Sequence, residues 1–149
     1  MLSDNLKLKG DVAIKLFDKD GNIKQEENIK NLVVDAGLDF IASRMVGTSS
    51  SIMSHMGIGS GTTSAAAADT DLESILGSRV TLTSSTATNE EVLYVASFGA
   101  GVSTGAVTES AIFNASTGGD MLCRTTFSVI NKSSDDTLQI NWTISLAAA

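Results

Sequence analysis

The sequence predicts a mainly β domain, a β-sandwich of jelly-roll-like character with an N-terminal hairpin and one short α-helix at about 35–46. Three observations predict it. From Arg79 onward, short runs rich in β-branched residues recur between Gly and Ser/Asp turn signals, the spacing of a sandwich or small barrel. The opening thirty residues alternate apolar and polar at the strand period of two. Only the stretch from Asn31 to Val46 carries apolar positions at helical spacing. At 149 residues the chain is one domain long, 1–149. Its 42% hydrophobic and 18% charged residues, with a mean hydropathy of +0.16, supply a core and exclude wholesale disorder.

Leu6 and Leu8, followed by Val12, Ile14 and Leu16, make the first hairpin strand. Asp18-Lys19-Asp20-Gly21-Asn22 turns it, because Gly accepts a positive φ without penalty, and Ile23 to Ile29 returns. The DxDGN stretch is not a calcium loop, which needs a further side-chain ligand before its Gly and a bidentate Glu six residues after it. Residues 1–9, with Lys7 and Lys9 beside Leu6 and Leu8, read as an extended arm able to add a strand to a partner.

In the helix, Ala36, Leu38, Ile41, Ala42 and Met45 form the apolar face expected to enter the core. Asp35 or Asn31 is placed to cap its start, and Gly47 to end it in a left-handed conformation. The Ser/Gly/Thr-rich residues 48–64 read as a loop wrapped around an apolar centre at Ile52, Met53, Met56 and Ile58. Gly57, Gly59 and Gly61 alternate there without a GxGxxG spacing or a P-loop Lys. They suit a backbone passing close to another chain or strand rather than a nucleotide phosphate. Residues 65–78 are expected to hold one or two helical turns, with Asp69 or Thr70 as N-cap and Glu73 as the capping-box acid.

Strands follow at 79–83, 92–98, 111–113, 121–130 and 137–146. In the last, Leu138, Ile140, Trp142, Ile144 and Leu146 alternate with polar residues, so Trp142 is expected in the core. Ala147 to Ala149 are expected to extend toward a neighbour.

The net charge of −7 argues against nucleic acid, which needs clustered Lys and Arg. Six of the ten basic residues lie in the first thirty beside six acids, and beyond Val46 only Arg79, Arg124 and Lys132 face nine acids. Neither a signal peptide nor a membrane-length apolar run is present in the sequence. One Cys and one His cannot build a structural zinc site or an internal disulfide, which fits a reducing compartment.

Catalytic constellations are equally scarce. His55 is the sole imidazole, read as a polar bystander in a loop, and no Gly-x-Ser-x-Gly elbow occurs. The acid pairs Glu90/Glu91, Asp135/Asp136 and Asp69/Asp71 fall in turns and are expected to be solvated, not tuned by an apolar pocket. Cys123 lies in an apolar strand, where a thiol acts as a small hydrophobe with a raised pKa. The residues imply no enzyme, no metal and no cofactor.

Several blocks together resemble the small structural proteins of tailed bacteriophages. They are NLVVDAGLDFIASRM (Asn31 to Met45), MGIGSGTT (Met56 to Thr63), the Asp-Thr-x-Leu segment at Asp69 to Ser74, Arg79, the run from Gly105 to Lys132, and the closing DTLQINWTISL. The nearest class is the capsid decoration, or cement, protein, with similar blocks in tail-collar fibre and tailspike-anchoring domains. That resemblance implies an all-β fold, a homotrimer and no catalysis. It further implies a chain made in the bacterial host cytoplasm and placed on the outer capsid surface of the virion, bound to the major capsid protein. The alternative within the resemblance is a tail or collar adaptor that anchors a fibre. Candidate capsid- or subunit-contact residues are Leu6, Leu8, Ile52, Met53, Met56 and Ile58. No nucleic acid or membrane partner is expected.

Overall fold

The computed structural model describes residues 6–47 and 51–148. The N-terminal hairpin is present, with β1 (Leu6–Phe17) and β2 (Ile23–Lys30) antiparallel and Val12 opposite Ile29. The Asp18 carboxylate organises the turn by accepting the backbone N–H groups of Asp20 and Asn22, both at 2.9 Å, and Gly21 takes φ +84°. The chain continues through β3 (Leu32–Val33), α1 (Asp35–Met45), β4 (His55–Gly59), β5 (Val80–Thr81), β6 (Ser84–Thr88), β7 (Glu91–Phe98), β8 (Gly105–Phe113), β9 (Met121–Lys132) and β10 (Thr137–Ala148).

These strands form two five-stranded antiparallel sheets, ordered β2-β1-β10-β7-β6 and β3-β9-β8-β4-β5, as the β-sandwich expectation required. The core lies between them. Ile14, Leu16, Phe98, Leu138, Ile140 and Trp142 come from the first sheet, and Met56, Ile58, Ile112 and Ile130 from the second; all are fully buried. The expected alternation holds in β10, where Ile140, Trp142 and Ile144 point inward and Asn141 faces out.

The second sheet is buried on both faces over part of its area. A long loop, residues 60–79, lies across its outer side and seats Leu72 against Ala111, Phe113, Met121 and Val34. Burial is therefore continuous from Glu109 to Phe113 and from Met121 to Thr125 instead of alternating. In this loop the described chain forms turns and a single bridge between Ile75 and Gly59, so the helical turns expected at 65–78 are replaced by irregular backbone. Asp69 and Glu73 bind elsewhere, and no cap is needed.

Helix α1 closes one end of the sandwich. Its N-cap is Val34, which has no capping side chain; Asp35 sits in the first turn and Arg44 in the last, matching the helix dipole. Neither Asn31 nor Asp35 caps it, but Gly47 ends it at φ +65° as expected. The packed face keeps Ala36 and Ile41 of the expected stripe but not Leu38, Ala42 or Met45. Gly37 is the buried position, because a Cβ there would lie 2.1 Å from the Leu122 carbonyl oxygen. Phe40 and Ile41 pack on the core, whereas Leu38 and Met45 face outward. The close approach at Gly37 rotates the helix about its axis, and periodicity alone does not encode that contact.

At the N-terminus, Leu6 to Lys9 are paired with Ser145 to Ala148 as part of β1. The arm expected at 1–9 is thus corrected: its second half belongs to the sheet, since main-chain pairing with β10 satisfies it, and residues 1–5 lie outside the described residues. By the same pairing Ala147 and Ala148 are strand residues, while Ala149 lies outside the described residues.

Candidate functional site

The most concentrated polar chemistry is a buried cluster on the outer side of the second sheet. Glu109 on β8 is fully buried. It accepts hydrogen bonds from the backbone N–H groups of Gly61 (3.1 Å), Glu73 (3.0 Å) and Ser74 (2.8 Å), and from Arg124 Nε (3.0 Å). Arg124 on β9 also donates to Asp69 (2.9 Å) and to the Thr63 carbonyl (3.0 Å). Burial works against the Arg124 charge, and the bonds to Glu109 and Asp69 outweigh it, holding the guanidinium above its ordinary pKa. Glu73 in turn accepts the N–H groups of Thr62 and Thr63; its bond with Thr63 leads the interactions that lower its pKa.

Every bond of Glu109 goes to the protein. A carboxylate accepting three backbone N–H groups and one guanidinium has no lone pair left to act as base or ligand. The cluster therefore acts as a clasp that holds the 60–79 loop on the sheet. The alternating glycines make it possible: a Cβ at Gly59 would lie 2.4 Å from the Ser74 carbonyl oxygen, and one at Gly61 2.6 Å from Glu109 Oε1. The close backbone passage expected of these glycines is found at Gly59, against the Ser74 carbonyl of the loop, while Gly57 and Gly61 are crowded by side chains.

A second clasp is built on Arg79. Its guanidinium stacks 3.4 Å from the Phe113 ring centroid and donates to the carbonyls of Ala115 (2.9 Å) and Gly118 (2.8 Å), with Asp71 at 3.3 Å. A third ties the 133–136 turn. Buried Asp136 accepts Lys24 Nζ and the Ser133 N–H, each at 2.9 Å, and these two lower its pKa. Two of the acids expected to be solvated, Asp69 and Asp136, are corrected to ion-pair partners, because each faces a basic side chain from a distant part of the chain, whereas Asp71 stays 63% exposed beside Arg79. Burial lifts the Cys123 thiol well above its ordinary pKa, as expected. His55 opens β4, half-buried, with Nδ1 2.8 Å from Ser54 Oγ, so its place is a strand and not a loop. Among the described residues no group of three His, Cys, Asp or Glu side chains could hold a metal. No helix among them is long and apolar enough to cross a membrane.

The unsatisfied surface lies at the helix end of the sandwich. Met45 is 83% exposed, Val46 77%, Ile52 60% and Leu38 44%. Beside them, Phe40, Arg44, Ile52, Met53, Val92 and Tyr94 line an open groove of about 420 Å³ between α1 and the β6–β7 edge. Burial pushes the Tyr94 hydroxyl there up to about 12. By contrast, the outer face of the first sheet carries an open dish of mixed lining, with Asn28, Asn141, Thr143 and the Asp11–Lys30 ion pair beside Ala13 and Leu93.

Of the expected contact residues, Ile52 alone stands clearly at the surface, and Leu8 is half-buried against the core. Met53, Met56 and Ile58 are corrected to core residues. β4 sits inside the second sheet between β8 and β5, so its side chains facing the first sheet have no route to solvent. Leu6 pairs with Ala148, and its side chain lies outside the described residues. Glu109 was not singled out from the sequence; a charged residue in the apolar run AVTESAIF was the available signal. In comparison with known proteins, no family model, curated protein or solved structure matches the chain.

Proposed function

We propose that this chain is a structural virion protein, a homotrimeric decoration or cement protein of a tailed bacteriophage. It binds the outer surface of the head and bridges neighbouring major capsid proteins. The observation that carries this reading is the division of the molecule's chemistry. Its buried charged side chains, Glu109, Arg124, Lys132 and Asp136, are all bonded within the fold, while the apolar side chains Leu38, Met45, Val46 and Ile52, on and beside α1, stay exposed. Apolar residues clustered on a surface mark interaction sites, and this arrangement suits a protein whose work is contact. The phage-like blocks, from Asn31 to Met45 and from Gly105 to Lys132, supply the partner class. Multivalency makes modest contacts sufficient, because a trimer engages three sites through one attachment.

Cosedimentation of the purified chain with undecorated phage heads tests the reading. Saturable binding at hundreds of copies per particle is expected. Binding of about a dozen copies to tails would assign the chain to a fibre adaptor, and no binding to either would overturn the virion reading.

A further inference from the structure

Two strand edges are open at the helix end of the first sheet. β2 stops with Lys30 opposite Asp11, and just past it the Asn31 N–H donates to the Gly10 carbonyl. On the other side β7 stops with Glu91 opposite Ser145, and the Leu146 N–H donates to the Glu90 carbonyl. Beyond these points β1 and β10 run on together as a two-stranded ribbon, with Leu8 opposite Leu146 and Lys7 opposite Ala147. Main-chain groups alternate in direction along an antiparallel strand. Since the Gly10 carbonyl faces β2, those of Leu8 face the same way, where the described residues place no strand.

We propose that this ribbon joins copies of this chain, the open edge of β1 in one copy adding as a strand to the open edge of β10 in the next. The inference rests on the homotrimer of the preceding section and names its interface. Charge selects the pairing. The β1 edge carries exposed Lys7 and Lys9, while the β10 edge is flanked at its base by exposed Glu90 and Glu91. None of these four forms an ion pair among the described residues. Two β1 edges brought together would set Lys against Lys, and two β10 edges Glu against Glu. The β1-to-β10 contact sets Lys9 beside the acids.

Geometry agrees with charge. Rotation about an axis along the ribbon preserves strand direction, so β1 of one copy meets β10 of the next antiparallel. Such a contact is heterologous and ends only when the ring closes. Three ribbons then make a closed six-stranded antiparallel arrangement without free edges, which removes the hazard of exposed strands. The outer strands of the described sheets lack this charge match: β2 presents Lys24, Glu26, Glu27 and Lys30 intermixed, and β3, β5 and β6 carry no charged side chain.

The test measures mass by sedimentation equilibrium for the full chain and three variants: Lys7→Glu with Lys9→Glu, Glu90→Lys with Glu91→Lys, and all four together. All substituted side chains are exposed, and far-UV circular dichroism with a thermal melt establishes that each variant folds. Each two-site reversal is expected to weaken association about tenfold or more, and the four-site variant to restore it, since it only exchanges the signs across the contact. Reversals that leave the oligomer unchanged overturn the ribbon interface and leave the homotrimer standing. A wild-type chain that stays monomeric overturns both the ribbon interface and the homotrimer, while head binding is decided separately by cosedimentation.

Discussion

Arg124 Nε lies 3.0 Å from Glu109 Oε2, a buried pair set diagonally across the β8–β9 ladder, where Arg124 stands opposite Ala111 and Glu109 opposite Thr126. The pair faces away from the main core and toward the loop it holds. Its partners Gly61, Thr63, Asp69, Glu73 and Ser74 all belong to one stretch of chain without regular structure. Side-chain chemistry on the strands thus replaces the backbone ladders that the loop lacks.

Glu109→Gln is expected to destabilise the fold by about 3–5 kcal/mol, because buried Arg124 keeps only the Asp69 carboxylate and the amide nitrogen sets a donor against the N–H groups that now bond the carboxylate. Urea denaturation measures the loss. Hydrogen exchange should show the amides of Gly61, Glu73 and Ser74 exposed first, and a uniform loss across the sandwich would contradict the clasp.

Gly59→Ala tests the same clasp sterically. The added methyl meets the Ser74 carbonyl oxygen at 2.4 Å and Glu109 Oε1 at 2.5 Å, so the loop must lift. A loss of roughly 1–3 kcal/mol is expected for overpacking of this kind. Gly99→Ala, where a Cβ meets nothing within 4 Å, serves as the control and should change stability little.

Much of this fold was legible because its signals are local. The hairpin rests on alternation and the Asp-Gly turn, β10 on an unbroken period of two, and the helix end on Gly47. The misreadings share one physical cause. Asp69 and Glu73 carry the letters of a capping box, yet their partners are Arg124 and the Thr62–Thr63 backbone, which sequence spacing cannot reveal. Met53, Met56 and Ile58 looked like surface anchors because their tract is rich in Ser and Gly. Gly57 and Gly59 admit the covering loop, and Met53, Met56 and Ile58 beside them face the core.

Acid should weaken the fold through Asp136. Lys24 and the Ser133 N–H lower its folded pKa below the ordinary 3.8, so its contribution is present above that value and is lost as pH falls through the folded pKa. Stability followed by denaturant midpoint should decline below about pH 4. Asp136→Asn should be less stable at neutral pH and show a shallower decline in that window; an unchanged slope would remove Asp136 from the account.

Trp142 is fully buried, and its Nε1 has no hydrogen-bond partner among the described residues. Native fluorescence should be blue-shifted and should move red on unfolding. Trp142→Ala is expected to cost about 3–5 kcal/mol, whereas Trp142→Phe, which discards the unpaired N–H, should cost distinctly less. Equal losses in the two variants would argue that the indole nitrogen has a partner.

Cryo-electron microscopy of heads assembled with and without this chain is the measurement closest to the central claim. The account predicts added density on the outer surface at three-fold positions, in hundreds of copies, each a set of three sandwiches of 15.4 kDa. Identical shells in the two preparations, with the chain found elsewhere in the particle or absent from it, would contradict it.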